Sequence, residues 1–272
     1  MGMRSSGAKR LVKRWSRRAF SAGSRALGRA GPGLTRGLRI LTYHRIAADR
    51  HDPFAVAPCD FAREMERVAE SGSVVDLESA LAGIRDGNEA LPQIVLTFDD
   101  GTDDFLTDAA PVLSRLELPA VIYVNPSRVG MPGFLGWHDI RELSRAGVHV
   151  GSHCLDHRSL RSLGRSDIRR QLVESRRVLE DRLGREVSSL AYPYGTARDF
   201  DECVVAEVSS AGYRSACTSI NGVNSPGSDP LALRRTKIEQ GDLPIFSWIL
   251  KGSLDGWAFF DRHLAHLQNR YG

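Results

Sequence analysis

The chain has 272 residues, 42% of them hydrophobic, enough for one sizeable α/β barrel or two small domains, and no run approaches the ~18 apolar residues of a membrane-spanning helix. Its 37 Lys and Arg outnumber 33 Asp and Glu only because the first 45 residues hold twelve basic side chains and no acidic one. The remaining 25 basic residues face all 33 acidic ones, which excludes a broadly basic, nucleic-acid-binding body.

Residues 1–36 read as a basic arm ahead of one domain spanning residues 37–272. The arm lacks the apolar centre of a secretory signal. Leu11, Trp15, Ala19 and Phe20 fall roughly on one helical stripe with Lys and Arg between them. Residues 1–33 are therefore expected to be a flexible, solvated tail or a helix lying on an anionic membrane surface. Cys59, Cys154, Cys203 and Cys217 show no C-x-x-C pair and no regular spacing. With no secretory signal, this predicts reduced thiols and a cytoplasmic protein, with any peripheral attachment at the inner membrane face.

A β-like run, Leu38 to Tyr43, closes on His44. Helical patterns follow over 61–69 and 77–84. The strand from Ile94 to Phe98 delivers Asp99 and Asp100. Asp103 and Asp104 are placed to cap the next helix, whose stripe is Ala109, Val112, Leu113 and Leu116. Strand 120–124, helix 137–146 and strand 148–152 follow, the last delivering His153. Residues 166–183 carry the clearest helical pattern, ended by Gly184. Strand 189–192 stops at Pro193, just before Tyr194. Helix 203–211, strands 215–218 and 233–238, and a helix over 248–267 broken near 252–256 complete the chain. Alternation of strand and helix predicts parallel strands with crossover helices. Polar residues at the C-terminal ends of many different strands predict a (β/α) barrel rather than an open sheet.

Thr97-Phe98-Asp99-Asp100-Gly101 and His153-Cys154-Leu155-Asp156-His157 carry the chemistry. Two imidazoles and one carboxylate make a common ligand set for a catalytic divalent metal with a position left for water, and the second carboxylate is then free as a base. Each feature alone has a structural explanation, as a turn or as buried imidazoles. Their joint occurrence at successive strand ends points to a metal-assisted hydrolase. Cys154 reads as a buried thiol, His138 and His149 as structural or surface groups, and Trp137 as either core or a sugar-stacking face.

These motifs resemble those of the polysaccharide deacetylase family, also called the NodB-homology family. Its T-F-D-D-G motif is matched at all five positions from Thr97 to Gly101. Its H-[S/T]-x-x-H motif is matched at His153 and His157, with Cys154 in the Ser/Thr position. The resemblance covers roughly residues 38–240. It implies a distorted (β/α)7 barrel and metal-dependent removal of an N-acetyl, sometimes O-acetyl, group from a sugar. It also implies that Asp99 is the general base, that Asp100, His153 and His157 hold the metal, and that the Tyr194 backbone N–H stabilises the oxyanion. Zinc is the expected ion, with cobalt, nickel and manganese as alternatives.

The chain departs from the family pattern twice. Ala191 stands where the R-x-P-Y motif has arginine, and Leu231 to Lys237 lacks the histidine of the late L-x-H motif. His44 is the candidate acid, since a branch of the family is similar to this chain in opening with a Tyr-His segment. Arg234 and Arg235 are candidates for the missing arginine. The expected substrate is an acetylated amino-sugar glycan or a lipid-linked saccharide precursor. The alternative is a catalytically impaired barrel that binds saccharide or a partner protein, which the two departures support.

Overall fold

The computed structural model describes residues 3–27, 36–49, 51–87 and 92–263. Helix α1 (Met3–Ala26) precedes strand β1 (Gly37–Tyr43), and two short strands, β2 (Arg45–Ile46) and β3 (Ala55–Val56), pair with each other. Then come α2 (Pro58–Glu70), α3 (Leu77–Arg85), β4 (Pro92–Phe98), α4 (Ala110–Arg115), β5 (Ala120–Val124), α5 (Trp137–Arg145) and β6 (His149–Ser152). The chain continues through α6 (Arg165–Leu183), β7 (Ser189–Ala191), α7 (Glu202–Ser210), β8 (Ser215–Cys217), β9 (Arg235–Lys237), α8 (Phe246–Leu250) and α9 (Ala258–His263).

Seven strands form one parallel sheet in the order β8-β7-β6-β5-β4-β1-β9. Its two edges meet just ahead of β9. Cys217 bridges Leu233 in parallel, the Thr218 N–H donates to the Leu233 carbonyl at 2.8 Å, and the Leu233 N–H donates to that of Ala216 at 2.9 Å. Closure through one bridge rather than a full ladder makes this the expected distorted (β/α)7 barrel.

Period-2 alternation sorts the strand residues between two cores. Leu38, Ile40, Val95, Val121, Tyr123, Ala191, Cys217 and Leu233 fill the barrel interior with Leu77 and Ala80 of α3. Leu41, Tyr43, Leu96, Phe98, Ile122, Val124 and Leu190 belong to the outer core beneath the helices. On β4 the same alternation leaves Thr97 and Asp99 on the interior side. Each predicted barrel strand is present within two residues of its expected ends. The last helical stretch is interrupted as expected, and its part beyond residue 263 lies outside the described residues.

Two local expectations are corrected. Asp104 does not cap a helix with its side chain: Oδ2 accepts from Arg45 Nε at 2.8 Å, and Oδ1 from Thr102 Oγ1 at 2.8 Å and the Ile46 N–H at 3.3 Å. The carboxylate is taken by an arginine and a strand end, which outcompete the helix's own N–H groups, and the segment that follows, Phe105–Ala109, is a π-helical turn. Within the arm, the stretch of α1 from Arg17 to Ser24 is docked on the domain rather than a loose tail. Arg17 is buried and donates to Asp242 Oδ2 at 2.7 Å and to the Lys237 carbonyl at 2.9 Å. Ser21 Oγ meets Ser253 Oγ at 2.6 Å, and Phe20 packs edge-on to Trp257.

Candidate active site

The site begins where β4 runs out. The Asp99 N–H still donates to the Tyr43 carbonyl at 2.9 Å, so Asp99 is held as one more residue of the β1–β4 ladder. Asp100 (φ 75°) and Gly101 (φ 70°) are both left-handed. A Cβ on Gly101 would sit 3.3 Å from the Val124 side chain, so glycine serves both the conformation and the close approach. This turn sends two adjacent carboxylates to different places. Asp99 stays in the barrel with its side chain 2% exposed, while Asp100 reaches the rim at 19%.

Asp99 is gripped by Arg235 of β9. Nη1 donates to Oδ1 and Nη2 to Oδ2, both at 2.7 Å. The guanidinium is itself anchored, Nε donating to the Thr218 carbonyl at 2.7 Å and Nη1 to Thr97 Oγ1 at 3.2 Å. Burial alone would raise the Asp99 carboxyl. The Arg235 charge, the nearby His153 and the paired hydrogen bonds outweigh it and hold Asp99 well below the usual carboxylate range. Of the two candidates for the missing arginine, Arg235 is the one that contacts Asp99. Arg234, half-buried, packs beside Gly222 instead.

Asp100, His153 and His157 offer ligand atoms that all lie within 4.8 Å of one another. Asp100 Oδ1 stands 3.6 Å from His153 Nε2 and 3.4 Å from His157 Nε2. Two ligands bound at ~2.1 Å to one tetrahedral ion lie about 3.4 Å apart, so this spacing fits a shared cation. Asp100 Oδ1 is a buried oxygen with no hydrogen-bond partner among the described residues, a costly arrangement for a carboxylate that a cation would relieve. His153 Nδ1 meets the Ala191 carbonyl at 2.7 Å. A proton on Nδ1 serves that contact and leaves the Nε2 lone pair toward Asp100, the usual second hydrogen bond of a ligating imidazole. Burial, with His153 beside it, lowers His157 to about 4, so this imidazole is neutral and able to ligate at neutral pH.

His44 follows β1 and stacks on Phe54 with ring centroids 5.0 Å apart. Its Nε2 lies 4.0 Å from Asp99 Oδ2. Burial takes its pKa down to about 4, against the opposing pull of Asp99. Tyr194 follows β7 with φ 60°, and its ring packs edge-on to His157 at 4.7 Å. Gly195 is left-handed too, and a Cβ there would lie 2.7 Å from the Ser219 backbone nitrogen. Among the described residues five non-glycines have positive φ, and Asp100, Cys154, His157 and Tyr194 are four of them. Such strain persists where the surroundings over-determine it, and here it gathers around one cluster.

Several weaker candidates stay outside the cluster. Cys154 is completely buried, and burial pushes its thiol up. His149 meets Ser189 Oγ at 3.2 Å from the opposite end of β6, and Trp137 packs on the core beneath the Arg182 guanidinium. Asn125 and Gln171 were not anticipated, although both contact the His153–His157 turn. The signal for Asn125 was present: it directly follows a strand, as Asp99 and His153 do.

The sequence profile of the polysaccharide deacetylase family matches residues 86–216. That segment holds Asp99, Asp100, His153, His157 and Tyr194, whereas His44 and Arg235 lie outside it. YxkH of Bacillus subtilis (strain 168), which bears a polysaccharide deacetylase name, is 24% identical over 206 residues, covering 75% of this chain and 72% of that protein. A chitooligosaccharide deacetylase of Sinorhizobium fredii (strain NBRC 101917 / NGR234) is 30% identical over 110 residues, 40% of this chain and 49% of that one. Among solved structures, BC0361, a polysaccharide deacetylase from Bacillus cereus, aligns with a TM-score of 0.68 at 25% identity, covering 78% of this chain and 69% of that one. In its motifs, its barrel and the profile match over a little under half of its length, the chain is similar to the polysaccharide deacetylase family of hydrolases.

Proposed function

We propose that this protein is a metal-dependent de-N-acetylase acting on an amino sugar of a polysaccharide or of a lipid-linked glycan precursor. The observation that carries this reading is the pairing of a held, ionised carboxylate, Asp99, with a three-ligand cluster built from its sequence neighbour Asp100 and two imidazoles. The chitooligosaccharide deacetylase among the relatives supports an amino-sugar substrate. Asp100, His153 and His157 would hold the ion, and zinc suits two imidazoles and a carboxylate. When bound there, a divalent cation supplies Lewis-acid chemistry, drawing charge from an acyl oxygen and acidifying a water.

The chain's own groups do the rest. Asp99, kept anionic by Arg235, takes a proton from the attacking water. The Tyr194 backbone N–H, in its left-handed turn, donates to the oxygen that becomes negative as water adds to the acyl carbon. The leaving nitrogen then needs a proton. His44 is neutral at rest, so it must first receive one, and Asp99 Oδ2 at 4.0 Å is the adjacent source. The proton passes from water through Asp99 to His44 and on to the nitrogen as the C–N bond breaks, leaving acetate and a free amine. With Arg235 in the place of the missing arginine, the Ala191 departure no longer argues for an impaired barrel. The test is a panel of N-acetylated and O-acetylated oligosaccharides assayed for acetate and free amine together. Equal release of both from an N-acetylated member, absent in Asp99→Asn, is the expected result; acetate without amine would make the enzyme an esterase.

The reading extends to an anionic membrane surface contacted through residues 1–33. Its support is the charge of the arm and the way α1 docks. The helix buries Arg17, Ser21 and Ser24 and turns Trp15 (68% exposed) outward, and Leu27 just past its end is 71% exposed. Arg17 donates to the carbonyl of Lys237, the last residue of β9, which sets the helix beside the C-terminal end of that strand. No helix among the described residues is long and apolar enough to cross a membrane. Cosedimentation with phosphatidylglycerol vesicles is expected to weaken in Trp15→Glu. Binding insensitive to that change, or equal on phosphatidylcholine vesicles, would contradict the membrane contact.

A further inference from the structure

We propose that two buried amides, Asn125 and Gln171, are positioning residues that clamp the imidazole-bearing turn and set the affinity of the Asp100–His153–His157 cluster for a divalent cation. This rests on the reading of that cluster as a metal site. Among the described residues neither amide hydrogen-bonds a ligand side chain; both bind backbone groups of the turn.

The turn leaves β6 in a conformation that L residues disfavour, with φ 60° at Cys154 and 58° at His157. Something must hold it, and the hydrogen bonds say what. The His153 N–H prolongs the ladder to the Val124 carbonyl at 2.9 Å. Asn125, completely buried directly after β5, donates Nδ2 to the carbonyl of His153 and to that of Cys154, the latter at 3.3 Å. From the opposite side Gln171, completely buried on α6, accepts at Oε1 the N–H of Leu155 at 3.0 Å and of Asp156 at 3.2 Å. The Leu155 carbonyl is taken by Ser127, through its N–H at 3.1 Å and its Oγ at 2.6 Å. The 154–155 and 155–156 peptide groups are thus each held on both sides, their carbonyls by Asn125 and Ser127 just after β5 and their N–H groups by Gln171 of α6.

Each amide uses only one end. Asn125 Oδ1 and Gln171 Nε2 are buried with no partner among the described residues. A side chain retained only for packing would be more stable as leucine, because a buried polar atom left unpaired is costly. The half-used amides therefore point to the half that is used. Asn125 works as a donor, and Gln171 as an acceptor. In a ligating turn, such supporting contacts fix ring orientation, and losing one typically lowers metal affinity about 10–100-fold.

The opposite polarity gives a sharp test, because the same amide-to-carboxylate change should act differently at the two positions. Asn125→Asp puts an acceptor against two carbonyls. Gln171→Glu keeps the acceptor that the two N–H groups need. The full chain, stripped with a chelator, is titrated with zinc against a chromophoric competitor, and the cobalt-substituted form is read by its visible absorption. Asn125→Asp is expected to bind zinc about 10–100-fold more weakly and to change the cobalt spectrum. Gln171→Glu should stay within about threefold of wild type, and Gln171→Leu should weaken as Asn125→Asp does. If Asn125→Asp does not fold, the Gln171→Leu and Gln171→Glu pair still decides, since equal zinc affinities there overturn the proposal. Wild-type protein that takes up neither zinc nor cobalt overturns the metal reading and the clamp with it. Normal uptake with Asn125→Asp and Gln171→Glu indistinguishable overturns the clamp alone.

Discussion

Arg235 and Asp99 meet across the barrel interior as a two-by-two ion pair, both contacts at 2.7 Å, with side chains 0% and 2% exposed. The pair joins the last strand to the fourth across β1, and it fixes the proposed base. Planar guanidinium and carboxylate match in a way a lysine cannot reproduce.

Removing the guanidinium leaves Asp99 buried and uncompensated. Arg235→Met is expected to destabilise the fold by about 3–5 kcal/mol in urea unfolding. It should also raise the Asp99 pKa, so that the acid limb of the pH–rate profile moves up. Arg235→Lys keeps the charge and one hydrogen bond and should fall between. An Arg235→Met protein with wild-type stability and an unmoved acid limb would show that the pair is incidental.

Ligands and base should separate cleanly. Asp100→Ala, His153→Ala and His157→Ala are expected to emerge from gel filtration without bound zinc, measured by atomic absorption. Asp99→Asn should retain zinc while losing kcat by about 10²–10⁴-fold, the usual contribution of a general base. Zinc retained by all three ligand variants would remove the site assignment.

His44 gives a signed pH prediction. Its folded pKa, about 4, lies below the ordinary histidine value of 6.5. Between those limits the unfolded chain holds the proton and the native chain does not. Metal-free protein should therefore lose stability as pH falls from 6.5 toward 4, by about 1.4 kcal/mol per pH unit from this group, and lose none above. His157 adds a loss of the same sign. His44→Gln should flatten the curve of unfolding free energy against pH, and should lower kcat with zinc still bound. An unchanged slope would mean that His44 is not the neutral, buried group described here.

Ala191→Arg restores the residue usual at that position in the family, yet it is expected to harm this chain. Ala191 is completely buried in the same interior cluster as Tyr123 and Cys217, and Arg235 already lies against both. Overpacking of this kind costs about 1–3 kcal/mol, and thermal unfolding measures it. A neutral result would show that the interior has room for both arginines.

The barrel was legible because each strand is a short apolar run closed by a polar residue, and because alternation places Thr97 and Asp99 inward without further information. The ligand cluster was legible for the same reason. Arg235 could be named only beside Arg234, since a basic residue on a late strand declares its partner only when the sheet closes. A helix in the arm was one of two readings of its stripe, but its docking was not readable. It is held by long-range polar contacts, Arg17 to Asp242 and Ser21 to Ser253, whose partners the sequence does not announce. Asp104 misled because an aspartate after a strand looks like a helix cap, whereas Arg45 reaches it first. Gln171 was hidden on the buried face of a helix whose neighbours, Ile168, Leu172 and Ser175, suggested packing only.

The most direct measurement is a zinc titration of chelator-stripped protein followed by release of acetate and free amine from an N-acetylated oligosaccharide. Activity should rise in proportion to zinc and level off at one equivalent, with His157→Ala flat throughout. Full turnover before any zinc is added, or a curve unaltered in His157→Ala, would contradict a hydrolase built on Asp99 and its three neighbouring ligands.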